Sequence, residues 1–157
     1  MRNDPRSHGL WELSAPAAPS LPPLNGAAET EVAIIGAGYT GLSAALHLAE
    51  AGVSVTVLEA VEPGFGGAGR NVGLVNAGMW VMPQELPNVL GTDYGARLLD
   101  FLGNAPAEVF GIVRRHGLDW QAVHNGTLHL AVSASGLREI TDRMTQWHAC
   151  GAPFELV

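Results

Sequence analysis

The sequence predicts an α/β fold built on a parallel βαβ unit, and three observations carry that prediction. Residues 31–35, EVAII, form a short apolar run rich in β-branched side chains, and residues 53–60, VSVTVLEA, form a second. Runs of that length and composition read as buried strands. Between them the periodicity switches: Leu42, Ala45, Leu46 and Ala49 recur at the i, i+3, i+4, i+7 spacing of one helix face. Strand, helix and strand with such brief connections imply a parallel pair joined by a right-handed crossover.

Punctuation residues bound each element. Gly36 ends the first strand, and Gly52 stands where a helix C-cap glycine belongs. Residues 94–116 read as a helix with a stripe of Leu98, Phe101, Leu102, Ala105, Val109, Ile112 and Val113. Pro106 is expected to kink that helix or split it, with Asn104 capping the second half, and Gly117 ends it. LDWQAV and TLHLAV then flank HNG, a hairpin signature. Leu128, Leu130 and Val132 alternate with Thr127, His129 and Ala131, which predicts one buried face. Residues 136–150, GLREITDRMTQWHAC, predict a further helix with Leu137, Ile140, Met144 and Trp147 on one side, stopped by Gly151.

Residues 1–29 are rich in Pro, Ala and Ser and lack an apolar period, so they read as an extended segment. Leu10 and Trp11 either pin that segment onto the domain or leave it a mobile tail. The resulting plan is an extended segment over 1–29, a βαβ core with a glycine-rich loop over 30–90, and helices with a hairpin over 91–157.

Composition narrows the function. With 47% hydrophobic and 15% charged residues, the 157-residue chain is globular rather than disordered and long enough for one domain. Its net charge is −7, and Arg114 and Arg115 are its only adjacent cations, which argues against a nucleic-acid surface. The single Cys150 excludes an internal disulfide framework and a Cys-only metal site, and reads as a small buried filler. The six histidines show no metal-ligand spacing, so no metal site is expected. MRNDPRSHGLWEL has no apolar core of a signal peptide, and the apolar stretch 32–58 is interrupted by His47, Glu50 and four glycines. A cytoplasmic protein without a membrane span is expected.

The glycines carry the chemistry. Gly36-Ala37-Gly38-Tyr39-Thr40-Gly41 is a G-x-G-x-x-G turn between a predicted strand and a predicted helix. The first glycine allows the sharp turn, the second lets a pyrophosphate approach the backbone, and the third lets the helix pack closely on the sheet. Glu59 follows 18 residues after Gly41, near the ~20 of a dinucleotide fold, where a carboxylate accepts hydrogen bonds from a ribose diol. This is a Rossmann-like arrangement, and both NAD and FAD satisfy it. The stretch that decides is PGFGGAGRNVGLVNAG, residues 63–78, a second glycine-rich loop where a simple NAD domain continues into another crossover helix. Such a loop suits the longer FAD, with Arg70 offsetting phosphate charge and the N–H groups near Asn71 and Gly73 reaching the flavin end.

AIIGAGYTGLSAALHLAEAGVSVTVLEA followed by GFGGAGRNVG closely resembles the N-terminal part of FAD-dependent amine and amino-acid oxidases of the D-amino-acid oxidase superfamily. Within it, the gamma-glutamylputrescine oxidase-like branch is the most similar, and NGTLHLAV resembles the strand that opens its substrate domain. The resemblance covers about residues 30 to 157. It implies non-covalent FAD and hydride transfer from a carbon bearing an amine, on an amine or amino-acid substrate. It implies that Gly36, Gly38, Tyr39, Thr40 and Gly41 line the pyrophosphate and that Glu59 and Ala60 hold the adenosine ribose. It also implies that Gly67, Ala68, Arg70, Asn71, Val72, Gly73 and Leu74 run past the phosphates toward the isoalloxazine ring. Ala68 stands where the family often has Ser, and Val72 where Gly is usual.

No catalytic base is legible. His47 reads as a solvated helix residue and His124 as a surface residue. His129 lies on the polar face of the predicted hairpin, while His116 and His148 stand near helix C-termini, where an imidazolium suits the dipole. Met79, Trp80 and Met82 read as core packing, with a substrate-pocket wall as the sharper alternative. A Rossmann-type domain needs more than two parallel strands to bind a dinucleotide across its crevice, so the chain reads as the N-terminal part of a longer enzyme or the product of a truncated gene. Little or no catalysis is expected from the 157 residues by themselves. An NAD-dependent dehydrogenase domain and a non-catalytic dinucleotide-binding or assembly module remain open as alternatives.

Overall fold

The computed structural model describes residue 16 and residues 19–157, so the expectation for Leu10 and Trp11 lies outside the described residues. The chain divides into two compact units, residues 1–74 and 75–157.

The first unit holds β1 (Val32–Ile35), α1 (Tyr39–Glu50) and β2 (Val55–Leu58). The strands pair in parallel, with Val32 opposite Val55 and Ile35 opposite Leu58. Ladder bonds at both ends set this register: Val32 N–H donates to the Ser54 carbonyl at 3.1 Å, and Gly36 N–H to the Leu58 carbonyl at 2.7 Å. The last turn of α1 closes as anticipated. Gly52 adopts φ 80°, and Val53 N–H reaches back to the Leu48 carbonyl at 3.0 Å, the outer bond of a Schellman motif. Gly117 and Gly151 end their helices in the same way: Leu118 N–H donates to the Val113 carbonyl and Ala152 N–H to the Trp147 carbonyl, both at 3.0 Å.

Burial in this unit is lighter than the apolar runs predict. Val32 and Ile34 are half-buried, but Ala33 and Ile35 are exposed, Ile35 at 89%. Among the described residues of this unit, the sheet has two strands and α1 is the helix packed on it, so Ala33 and Ile35 gain no cover from these elements. The covered line of α1 runs through Gly41, Ala45 and Leu48 with Leu46, while Leu42 and Ala49 are exposed. Gly41 sets that line, because its missing side chain brings the helix backbone onto β1.

The second unit contains α2 (Glu85–Leu90), α3 (Thr92–His116) and α4 (Ala134–Ala149). The short α2, unforeseen in the sequence, folds against the first turn of α3 at Gly95, where a Cβ would lie 2.5 Å from Pro87 Cα. Pro106 neither splits nor ends α3, which continues to His116. A proline inside a helix leaves the carbonyl four residues earlier without its donor. Here that carbonyl belongs to Leu102, and Gly78 N–H supplies the missing bond at 3.1 Å. Asn104 caps nothing; its Nδ2 donates to the Asp100 carbonyl at 3.0 Å. Phe101 is 70% exposed despite its place in the predicted stripe, and Leu99 and Phe110 are half-buried.

The predicted hairpin does not form. Residues 118–132 contain no strand, and Leu128, Leu130 and Val132 are 70%, 80% and 97% exposed. Gln121 sits in the left-handed region at φ 55° and breaks the first extended run. An isolated two-stranded hairpin is marginal without a third strand or a helix to cover its apolar face. Rings hold the segment instead: His124 stacks on Phe110 at 4.2 Å, and Trp120 meets the same ring edge-on at 6.1 Å.

Ser133 caps α4, its Oγ accepting from Gly136 N–H at 3.1 Å, an arrangement worth about 0.5–2 kcal/mol. The buried face of α4 is Arg143, Gln146 and Trp147, while Leu137 is 48% exposed. This face is more polar than the predicted stripe because it meets a loop whose backbone groups need partners. Arg143 Nη1 donates to the Trp80 carbonyl at 2.7 Å, and Gln84 N–H donates to Gln146 Oε1 at 3.2 Å. Trp147 lies on Gly78, where a Cβ would be 2.3 Å from Cη2. Trp80 is not core: it is 70% exposed, with the Arg143 guanidinium 4.6 Å from its ring centroid and His129 stacked at 5.7 Å. It borders a cleft of about 460 Å³ within this unit, together with His129, Leu130, Ile140, Arg143 and Phe154.

Candidate cofactor-binding site

The glycine turn of the first unit shows why each glycine stands where it does. Gly36 leaves β1 at φ 101°, a conformation that side chains rarely adopt. A Cβ on Gly38 would meet nothing within 4 Å, so the space over this residue is open. A Cβ on Gly41 would lie 2.0 Å from the Gly36 carbonyl oxygen and 3.2 Å from Ile34 Cγ2. The three residues thus supply a turn, a vacant approach and a close helix–strand contact. Gly38 is the N-cap of α1, with no side-chain cap and no acid in the first turn. The first N–H groups of a helix have no intrahelical acceptor and carry a partial positive charge, so this end is suited to phosphate.

Glu59 lies just past β2, and its carboxylate is tied to that turn. Oε2 accepts from Ala37 N–H at 2.8 Å, and Oε1 accepts from Val61 N–H at 3.1 Å. The Ala37 N–H first, and then that of Val61, hold the carboxyl below the ordinary carboxylate pKa. A carboxylate has about four acceptor positions, so two bonds leave room for the hydroxyls of a ribose. Because the pKa is lowered in the folded state, these bonds stabilise fully above the ordinary carboxylate range and are lost as pH falls through the lowered value. Acid titration of the first unit, followed by circular dichroism, is therefore expected to show a destabilising step below the ordinary carboxylate pKa. The step should be absent in Glu59→Gln.

The second glycine loop is fastened to the first. Gly64 N–H donates to the Ala37 carbonyl at 2.9 Å, and Gly69 N–H to the Gly64 carbonyl at 2.7 Å. A single 3₁₀ turn spans Gly67–Arg70. Asn71 Nδ2 donates to Tyr39 Oη at 2.5 Å and also to the Ala68 carbonyl, and Asn71 Oδ1 accepts from Gly73 N–H at 2.7 Å. The turn, Tyr39, Glu59, Ala68, Asn71 and Gly73 are thus gathered into one surface. Thr40, Ala60, Gly67, Val72 and Leu74 are exposed around it, Val72 at 70% and Leu74 at 63%. Arg70 lies over the Phe65 ring, 4.8 Å from its centroid. Val72, where the family resemblance calls for glycine, lies outside the left-handed region, which Gly73 occupies at φ 75°.

The residues missed from the sequence are those that act through the backbone. Ala37 is 2% exposed and bonds to both Glu59 and Gly64. Gly69 could not carry a Cβ, which would sit 2.5 Å from the Gly64 carbonyl oxygen. The repeated glycines of GFGGAGR were a signal for it, but not for which of them mattered. Cys150, expected to be buried, is exposed. His47 Nδ1 lies 3.6 Å from Glu50 Oε2 on the exposed side of α1, and His148 Nε2 lies 2.6 Å from the Phe154 carbonyl oxygen.

The family model for FAD dependent oxidoreductases, DAO, matches residues 31–157. The chain belongs to this family. FAD is therefore its cofactor type, and the open Gly38, the uncapped helix end and the fixed Glu59 fit the adenylate half of such a molecule. The DAO chain is 37% identical over 133 residues to the gamma-glutamylputrescine oxidoreductase of Escherichia coli (strain K12), covering 82% of this chain and 30% of that protein. It is 40% identical over 112 residues to "Probable oxidoreductase OrdL" of Rhizobium meliloti (strain 1021), covering 71% of this chain and 26% of the relative. A protein of the same name from Haemophilus influenzae (strain ATCC 51907 / DSM 11121 / KW20 / Rd) is 43% identical over 78 residues, 50% of this chain and 18% of its own length. The matched stretch thus spans less than a third of these relatives. No solved structure matches. Among the described residues, no helix is long and apolar enough to cross a membrane.

Proposed function

We propose that residues 36–74 hold FAD non-covalently and that the protein oxidises the C–N bond of an amine or amino acid. The observation that carries the binding half is the pairing of open space over Gly38 with a Glu59 carboxylate already fixed by Ala37 N–H. In this reading Gly36, Gly38, Tyr39, Thr40 and Gly41 contact the pyrophosphate, and Glu59 and Ala60 contact the adenosine ribose. Gly67, Ala68, Arg70, Asn71, Val72, Gly73 and Leu74 lead toward the flavin. The chemistry FAD supplies when bound is acceptance of a hydride equivalent from the carbon bearing the nitrogen. The chain's own contribution is to bind, orient and neutralise. The helix end and loop amides meet phosphate charge, and Arg70 can swing from the face of Phe65 to do the same.

The amine half rests on kinship. One relative is by name an oxidoreductase of gamma-glutamylputrescine, which directs the substrate search toward amines. The test is to load the protein from its source cells with FAD, exclude oxygen, and add amines, amino acids and 2-hydroxy acids in turn. Bleaching of the flavin absorbance by amines is the expected result, and bleaching by hydroxy acids alone would contradict it. Acid precipitation of the loaded protein should release the flavin into the supernatant.

A further inference from the structure

We infer that Asn71 and Tyr39 form a latch that closes the second glycine loop over the first, and that this latch governs retention of the flavin half of FAD rather than the adenylate half. The two residues are 32 positions apart, and their hydrogen bond joins the loop at 64–74 to the first residue of α1. Asn71 is built for the task. Its Nδ2 serves both Tyr39 Oη and the Ala68 carbonyl, while its Oδ1 takes Gly73 N–H at 2.7 Å. One amide thus fixes the end of the 3₁₀ turn, the left-handed Gly73 beyond it, and the helix end together. Burial adds little to this hold at Tyr39 and Val72, which are 67% and 70% exposed. At its other end, the loop is anchored by Gly64 N–H on the Ala37 carbonyl at 2.9 Å, close to Glu59 and the open space over Gly38. The adenylate side is therefore held without Asn71, and the latch acts on the part of the loop beyond Ala68.

The proposal rests on FAD binding at this surface, so its test has one readout that needs no cofactor. Tyr39→Phe removes only a hydroxyl, and Asn71→Ala removes the amide. In the cofactor-free chain, both substitutions should speed amide hydrogen exchange across residues 68–74 and leave β1 and β2 unchanged. In titrations, Tyr39→Phe should weaken FAD about five-fold, the range one hydrogen bond supports, and Asn71→Ala at least as much, because it also releases the Ala68 carbonyl and Gly73 N–H. Asn71→Ala should leave ADP affinity unaltered, whereas Tyr39 is placed against the pyrophosphate and its variant is followed by exchange and FAD affinity. The double variant should be no worse than Asn71→Ala, because residues that act through one bond are not additive. Unchanged exchange in both variants would overturn the latch, as would additive losses or an equal loss of ADP affinity in Asn71→Ala. A wild-type chain that fails to bind FAD while the exchange result holds would defeat the FAD reading of the latch and leave a loop clasp without that role.

Discussion

Gly41→Ala should unfold the first unit at a markedly lower temperature and cost it FAD affinity in the same step. The added Cβ would sit 2.0 Å from the Gly36 carbonyl oxygen, a backbone atom of the glycine turn that cannot rotate away. Alanine gains about 1 kcal/mol over glycine in a helix interior. Overpacking against backbone costs about 1–3 kcal/mol, and α1 must slide off β1 to relieve it, so the clash wins. The unit has little stability to spare, since α1 has no fully buried residue. A fall of about 10 °C in the melting temperature is the expected scale. Gly38→Ala is the matched control. Its Cβ meets nothing within 4 Å and its φ is −86°, so folding should be unchanged. The methyl group would nevertheless occupy the approach to the helix end, and FAD should bind about ten-fold more weakly. Melting curves with and without FAD separate the two effects.

Glu59→Ala should weaken FAD by about ten- to a hundred-fold, the range for hydrogen bonds to a charged group. The loss has two sources. The carboxylate no longer meets the ribose hydroxyls, and Ala37 N–H loses the acceptor that fixes the turn. Glu59→Gln should recover part of the binding, because an amide oxygen can still take the Ala37 N–H. ADP, which carries the same ribose, should suffer the same loss as FAD. Isothermal titration with both ligands gives the comparison, and an FAD affinity insensitive to Glu59 would remove this residue from the site.

How far the sequence could be read depended on whether a residue's partner was near in the chain. Gly36, Gly38 and Gly41 were legible because turn, vacancy and close approach are demands of one short segment. Gly52, Gly117 and Gly151 were legible for the same reason, each closing the helix just before it. The split offered for Pro106 did not occur, because the remedy for its missing donor comes from Gly78, on a different segment. The hairpin at 118–132 was misread because alternation records a face fit for burial, not the presence of something to bury it, and Val132 is 97% exposed. The buried face of α4 keeps Trp147 from the predicted stripe, with Ile140 and Met144 half-buried, but takes in Arg143 and Gln146 because its neighbour is the loop carrying Trp80 and Gln84, whose backbone groups draw them inward. At the site, the motif named Glu59 but not its bond to Ala37, and named Asn71 and Tyr39 but not their contact.

The most direct measurement is a titration of the 157-residue chain with FAD, followed by flavin fluorescence and repeated with NAD. The glycine surface at residues 36–74 predicts saturable binding of FAD at a single site. That binding should be displaced by ADP, stronger than that of NAD, and weakened by Gly38→Ala without loss of fold. No saturable binding by a folded chain, or NAD held as tightly as FAD, would contradict it.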